Sequence, residues 1–424
     1  MPRRALILLE DASNGRLYLQ AAQRLGLHPI TLAADQAQCD LLAAEGMEAI
    51  RVDTDNLDAL IRECSRLRRT FDIVGITSAL ESVYATVGKL CRHFDLPGPN
   101  AASIERCCDK FVQHQMLAKA GVPIPAYRLA VNATDVESAA AEIGLPVILK
   151  PVVGSGSSGV RLCRDVEELA EHTTFLLGGK HIWRSSPRML VEEFARGPHY
   201  VVNIMGNDVV GITAAEFGPP PYFVFRQSIC PAPLSDDGHE RMGNVSLSCL
   251  RALDLGWGPT CIEFRWTKRG PVVIEVNPRL AAGQPKLIQL AHGVDLIAEH
   301  VKLVIGGDWD LRKMHSHTVA SRSLLPDHDG TLDWISGDGR AAALPGVVEV
   351  KLRVKAKTPI VRQGDWRDSM GYVIATSPDL PRTEAILQQA VDLIDWSITP
   401  FPTDDATVAG CEAVIRGGND GACS

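Results

Sequence analysis

Two alternating apolar stretches late in the chain, Cys261-Ile-Glu263-Phe-Arg265-Trp266 and Val272-Val-Ile-Glu275-Val-Asn277-Pro-Arg279, flank the turn-forming Thr267-Lys-Arg-Gly270-Pro271 and read as an antiparallel hairpin. A hairpin symmetric about Arg269 sets Glu263 directly opposite Glu275, and the period of two along a strand puts Asn277 on the same face as Glu275. Directly opposed residues have Cβ atoms about 5 Å apart. At that distance two carboxylates repel by about 3 kcal/mol at an effective dielectric of about 20, so the pair demands a positive partner. Mg²⁺ meets the demand, since it takes one or two carboxylates and completes its octahedron with water and phosphate oxygens. Ordinary ion pairs to Arg265 or Arg279 meet it equally well.

With 424 residues and 46% apolar side chains the chain can bury a large core, enough for about two to four domains. Its 43 basic and 51 acidic residues give a net charge of −8, and no basic tract exceeds the length of Arg68-Arg69. Nucleic acid and anionic membrane are therefore not the expected partners; a small molecule is. The apolar run Ala5 to Leu9 is cut off by Glu10-Asp11, too soon for a signal-peptide core or a spanning helix, and a cytoplasmic protein is expected. Eleven cysteines, with Cys107-Cys108 adjacent and no C-x-x-C spacing, signal neither a disulfide framework nor a zinc site and read as buried hydrophobes.

The first hundred residues alternate between strand and helix: Ala5 to Leu9, Pro29 to Ala33 and Phe71 to Ile76 as strands, Leu17 to Leu25 and Leu57 to Leu67 as helices. Such alternation predicts a small open sheet with crossover helices. Asp11-Ala-Ser-Asn-Gly15 follows the first strand, where open sheets bind ligands, although a turn with a helix N-cap explains it as well. Leu96-Pro-Gly-Pro-Asn100 breaks the pattern and marks a domain boundary. One helix is expected from Ala102 to Ala120, another from Leu287 to Ile305, a β-rich stretch over 316–376, and a last helix from Arg382 to Ile394.

Gly154-Ser-Gly156-Ser-Ser-Gly159 has the G-x-G-x-x-G spacing of a dinucleotide site, but that fingerprint follows a strand and opens a helix. Here Pro146-Val-Ile-Leu-Lys150-Pro151 precedes the loop and Val160-Arg-Leu-Cys163 continues it as a strand, so the unit is a flap. Its unobstructed N–H groups, with Ser155, Ser157 and Ser158, can close over phosphates, and Lys150 adds a charge; a plain surface hairpin is the bland alternative. Downstream, Met189-Leu-Val-Glu-Glu-Phe194 reads as a strand whose free backbone groups suit an adenine base.

The order of these motifs resembles the ATP-grasp superfamily: Asp109-Lys110, Leu149-Lys150-Pro with its glycine loop, Val191-Glu-Glu-Phe194, Gly197-x-His199-Tyr200, Glu263, and Glu275-x-Asn277-Pro-Arg279-x-Ala-Ala-Gly283. Within it the chain is most similar to carboxylate–amine ligases of the L-amino-acid (dipeptide) ligase type. The resemblance implies an α/β fold that is α+β in its ATP-grasp part. A Rossmann-like open parallel-sheet domain would span 1–97, an ATP-grasp domain of two α+β subdomains 98–310, a β-rich domain 311–400 and a flexible tail 401–424. It further implies ATP and two Mg²⁺ ions, for which Mn²⁺ can substitute, small carboxylate and amine substrates, and the homodimeric state common in similar enzymes.

Carried over residue by residue, Lys110 and Lys150 would hold phosphates with Gly154, Ser155, Gly156, Ser157 and Ser158 of the flap, and Glu192, Glu193, Phe194 and Ala195 would contact adenine. His199 would meet the ribose, Glu263, Glu275 and Asn277 the metal ions, and Arg279 with backbone N–H groups near Gly283 the reacting phosphate and oxyanion. His199 stands where such ligases commonly have glutamate and biotin carboxylases have histidine; Cys261 replaces a histidine frequent in the dipeptide-ligase branch. Without the other motifs, Lys110 would read as a solvated helix lysine and Asn277-Pro278 as a turn starter.

Overall fold

The structure, a computed structural model, describes residues 2–11, 13–178 and 187–402; the tail expected over 401–424 lies outside it from residue 403 on. The N-terminal part runs β1 (Arg3–Leu9), α1 (Gly15–Arg24), β2 (His28–Ala33), α2 (Gln36–Ala44), β3 (Glu48–Arg51), α3 (Leu57–Leu67), β4 (Phe71–Thr77) and α4 (Glu81–Phe94). Its four strands form a parallel sheet in the order β3-β2-β1-β4. The last five residues of β1 are buried on both faces, which is why Ala5 to Leu9 is a continuous apolar run.

The expected helix over 102–120 is two helices, α5 (Ala101–Cys108) and α6 (Lys110–Lys119). Asp109 between them has extended φ and ψ, and its carboxylate accepts from the Val112 N–H at 3.0 Å, so one residue ends the first helix and caps the second. The cap makes Lys110 the first residue of α6. Next come β5 (Tyr127–Ala130), α7 (Ala133–Ile143), β6 (Val147–Pro151), β7 (Arg161–Cys163), α8 (Val166–Gly178) and β8 (Met189–Glu193). Their strands form the flap sheet, ordered β5-β8-β6-β7, with the glycine loop joining β6 to β7.

The chain continues through β9 (His199–Met205), β10 (Asp208–Phe217), β11 (Phe225–Cys230), α9 (Asp236–Leu253), β12 (Pro259–Thr267), β13 (Gly270–Asn277), α10 (Gln284–His292) and α11 (Leu296–Val304). The helix expected over 287–305 is thus also split, because Gly293 turns left-handed at φ +77° and Asp295 caps α11. The remainder is β14 (Thr318–Leu324), β15 (Gly330–Ser336), α12 (Asp338–Ala342), β16 (Val347–Leu352), β17 (Pro359–Ile360), β18 (Gly371–Ser377), α13 (Leu380–Asp392) and β19 (Asp395–Thr399).

One antiparallel sheet of eight strands, β13-β12-β9-β10-β11-β14-β18-β16, runs from the predicted hairpin into the C-terminal region; β15, β17 and β19 form a small sheet of their own. One face of the long sheet at its β13 end, with Tyr200, Val202, Ile204, Ile262, Phe264, Val273 and Val276, packs on Met242, Cys249, Leu250 and Leu253 of α9. The opposite face carries the polar residues of the candidate site. The nine described cysteines are free and eight are buried, as expected of small hydrophobes.

Candidate active site

The hairpin pairs Glu263 with Glu275 and Cys261 with Asn277, as its sequence predicts, but by a different route. Near the turn the partners are Thr267 with Gly270 and Phe264 with Val273, a register centred between Lys268 and Arg269 rather than on Arg269. Continued unchanged, that register would set Glu263 against Ile274 and turn Glu275 to the other face. A bulge at this point takes up one residue of β13 and restores the opposition. Val273 and Val276, three residues apart, both enter the α9 core as a result.

Each carboxylate of the hairpin has a separate partner. Lys110 Nζ lies 2.9 Å from Glu275 Oε1 and donates to the carbonyl of Gly154 in the flap at 2.6 Å. His199 Nε2 lies 3.2 Å from Glu263 Oε2. Arg279 turns instead to Glu81, with Nε 3.2 Å from Oε2, and reaches Asn277 Oδ1 at 3.3 Å. Arg265 donates to the Gly197 carbonyl and lies over the rings of Phe217 and Phe223. The bland pairing of the hairpin carboxylates with Arg265 or Arg279 is therefore not the arrangement adopted.

On the facing flap sheet, Ile148 pairs with Glu192 and Lys150 with Leu190, which puts Lys150 and Glu192 on one face. Lys150 Nζ is 2.7 Å from Glu192 Oε2, and His114 Nε2 is 2.9 Å from Oε1; all three residues are buried. Burial opposes ionisation of Glu192, but Lys150 and His114 outweigh it and hold the carboxyl at about 2. Glu263 is likewise held below the usual range: burial raises it, and His199, Arg279 and Lys150 together pull it down. Lys110 is pushed up, the attraction of Glu275, Glu81 and Glu263 exceeding the cost of its burial. Glu81 moves up because burial and the nearby Glu275 exceed the help from Arg279 and Lys110. Burial also raises the Cys261 thiol, which is no nucleophile in that state.

The flap serines cross the loop between β6 and β7, with the Ser158 N–H on the Ser155 carbonyl at 3.4 Å and Ser157 at φ +63°. Gly156, at φ +67°, lies against the Trp366 ring so closely that a Cβ would stand 2.4 Å from it. Phe194 neighbours Phe223 at 6.2 Å, Ala195 is buried, and Gly283 at φ +76° is the N-cap of α10. Glu193 points away from Glu192: its carboxylate binds Arg269 at the hairpin turn and the Ala126 N–H.

Glu81 and His114 are the residues that sequence reasoning missed. Glu81 opens α4 just beyond the C-terminal end of β4, the side of an open sheet where ligands gather, and that position was the available signal. His114 sits one turn beyond Lys110 on α6, and nothing in the local pattern marks it.

Residues 109–312 match the family model described as carbamoyl-phosphate synthase L chain, ATP binding domain, and residues 322–399 match L-amino acid ligase C-terminal domain 2. The chain belongs to the ATP-grasp superfamily of carboxylate–amine ligases. An uncharacterized protein of Sinorhizobium fredii is 62% identical to this ATP-grasp chain, over 94% of this chain and 84% of its own length. A biotin carboxylase of Nostoc is 23% identical over 87% of this chain and 83% of its own. The crystal structure of the L-amino acid ligase from Bacillus licheniformis superposes with a TM-score of 0.78 at 18% identity, covering 94% of this chain and all of that one, a likeness of fold. No helix among the described residues is long and apolar enough to cross a membrane.

Proposed function

We propose that this ATP-grasp chain activates an amino acid or similar small carboxylate as an acyl-phosphate and joins it to an amine, releasing ADP and phosphate. The observation that carries the reading is the opposition of Glu263 and Glu275 beside Asn277, with Lys110, Lys150 and Arg279 around them. Two carboxylates and an amide oxygen are hard donors that fit Mg²⁺. No group of three His, Cys, Asp or Glu suited to a metal occurs among the described residues, so phosphate oxygens and water would complete the shell. When bound, Mg²⁺ offsets the charge that builds on the transferring phosphoryl oxygens.

A carboxylate resists amines because its leaving group would be oxide. In the proposed first step a carboxylate oxygen attacks the γ-phosphorus of ATP; the new O–P bond forms as the bond to the β-bridging oxygen breaks and ADP leaves. Lys110, now on Glu275, would exchange that partner for a phosphate oxygen, and its hold on the Gly154 carbonyl would bring the flap with it. Lys150 would do the same from Glu192, while the hinge from Glu192 to Ala195 receives the adenine and His199 the ribose. In the second step the neutral amine nitrogen adds to the acyl carbon, the C–O bond to phosphate breaks, and the proton that the nitrogen loses ends on the departing phosphate, which leaves as hydrogen phosphate. Arg279, oriented by Glu81, would offset the oxyanion with the N–H groups at the start of α10 near Gly283. The closed flap would keep water from the acyl-phosphate.

His199 and the biotin carboxylase relative favour a second reading, activation of bicarbonate. The match of residues 322–399 to a ligase C-terminal domain supports the first. ADP release measured with bicarbonate alone and with amino-acid pools separates them: the ligase reading expects turnover only with amino acids, and bicarbonate-dependent turnover without them would replace it.

A further inference from the structure

The hairpin's bulge raises the question of what keeps β13 from slipping back by one residue. β13 is the edge strand of the long sheet, so its outward N–H and C=O groups have no strand to pair with. Two of its residues turn these groups outward and find partners. The Val273 N–H donates to the Pro123 carbonyl at 2.9 Å. The Val276 N–H donates to Gln113 Oε1 at 2.9 Å, and Gln113 Nε2 donates to the Val276 carbonyl at 2.7 Å. A side-chain amide carries the same donor and acceptor as a peptide group, so Gln113 stands in for one residue of a missing strand.

Gln113 is fully buried and completely satisfied, its second amide hydrogen going to the Cys107 carbonyl at 2.7 Å. Along a regular strand, backbone groups alternate sides; Val273 and Val276 can both face outward only if one residue is inserted between them. In the slipped register Val276 would turn inward and Gln113 would lose both bonds. Position 276 also lies between Glu275 and Asn277, and Gln113 lies one helical turn beyond Lys110, whose ammonium binds Glu275.

We infer that Gln113 is a positioning residue: it locks β13 in the bulged register that sets Glu275 opposite Glu263 and Asn277 beside them. The effect on metal binding rests on the proposed function, whereas the lock itself does not. Gln113→Met keeps the length of the side chain and removes both bonds. Amide hydrogen exchange at Val276, with Val273 as the reference, and the Mg²⁺ concentration for half-maximal ADP binding are the two readouts. The expected result is exchange at Val276 faster by about tenfold or more with Val273 unchanged, and a Mg²⁺ requirement raised about tenfold. ADP affinity without metal should stay as in the wild type. Unchanged exchange at Val276 would overturn the lock. If Gln113→Met does not fold, Gln113→Leu, which also removes both bonds, is read the same way. Glu275→Gln, run in parallel, separates the two claims: a Mg²⁺ requirement unmoved by Glu275→Gln contradicts the metal reading while fast exchange in Gln113→Met still supports the lock.

Discussion

Two strand–loop–strand units face each other across the site, and they are built to opposite specifications. The hairpin joins strands of nine and eight residues, β12 and β13, through a two-residue turn, and packs its back on the α9 core. The flap joins β6 and β7, of five and three residues, through the long loop 152–160. Much of what holds the flap comes from outside it: Lys110 on the Gly154 carbonyl, Trp366 on Gly156, and the Tyr222 segment, whose Pro221 carbonyl takes the Leu162 N–H of β7 at 2.9 Å. The unit that would carry the metal ligands is preorganised, and the unit that must admit and release a nucleotide is held by contacts that can be exchanged.

The largest effect should come from the rigid side. Glu275→Gln should lower turnover by about a thousandfold, the equivalent of about 4 kcal/mol, in a protein that still folds, since Glu81 remains close to Lys110; steady-state kinetics beside a thermal melt check this. Near-normal turnover at saturating Mg²⁺ would remove the hairpin from the chemistry. At the root of the flap, Lys150→Met should raise the KM for ATP and also destabilise the fold by about 3–5 kcal/mol, because it leaves Glu192 buried without its lysine. A variant with unchanged stability would show that Lys150 serves ligand alone.

Acid should reach the flap sheet through the same pair. Glu192 is held at about 2 in the folded protein against an ordinary 4.5, so its contribution is fully present above about 4.5 and is lost as pH falls toward 2. Denaturant titrations over that range should show a steeper loss in the wild type than in Lys150→Met. The smallest change is expected for Trp366→Ala: a few-fold rise in the KM for ATP and faster amide exchange over 154–159, with the hairpin amides unmoved. Faster exchange in the hairpin as well would mean that the two units are not independent.

What was legible in the sequence follows from how local its cause is. Alternation in β12 and β13 exposes the two opposed glutamates, yet symmetry about Arg269 reaches the right pair by omitting a bulge whose partners are non-local, α9 under Val273 and Val276 and Gln113 on the Val276 backbone. Asp109 was visible beside Lys110, but its role as a cap that splits one helix into two depends on its carboxylate finding the Val112 N–H. The flap was readable from strand, glycine loop and strand; its contact with Trp366 joins residues far apart in the chain, and no local pattern carries it. Glu81 enters the site from the N-terminal part of the chain for the same non-local reason, and the strands β14, β16 and β18 read as β-rich without revealing that they extend the hairpin's own sheet. Glu192 and Glu193 are neighbours on a strand and face opposite ways, one buried on Lys150 and the other on Arg269, partners that come from distant segments and that no local pattern shows.

The most direct test of the central claim follows one oxygen. An amino-acid pool labelled with oxygen-18 in its carboxylates is incubated with the protein, ATP, Mg²⁺ and amines, and the nucleotide, phosphate and condensed products are analysed by mass. The account predicts ADP, an amide product, and the label in the released phosphate, since the carboxylate oxygen leaves with the phosphoryl group. AMP as the nucleotide product, or an amide formed with unlabelled phosphate, would contradict it.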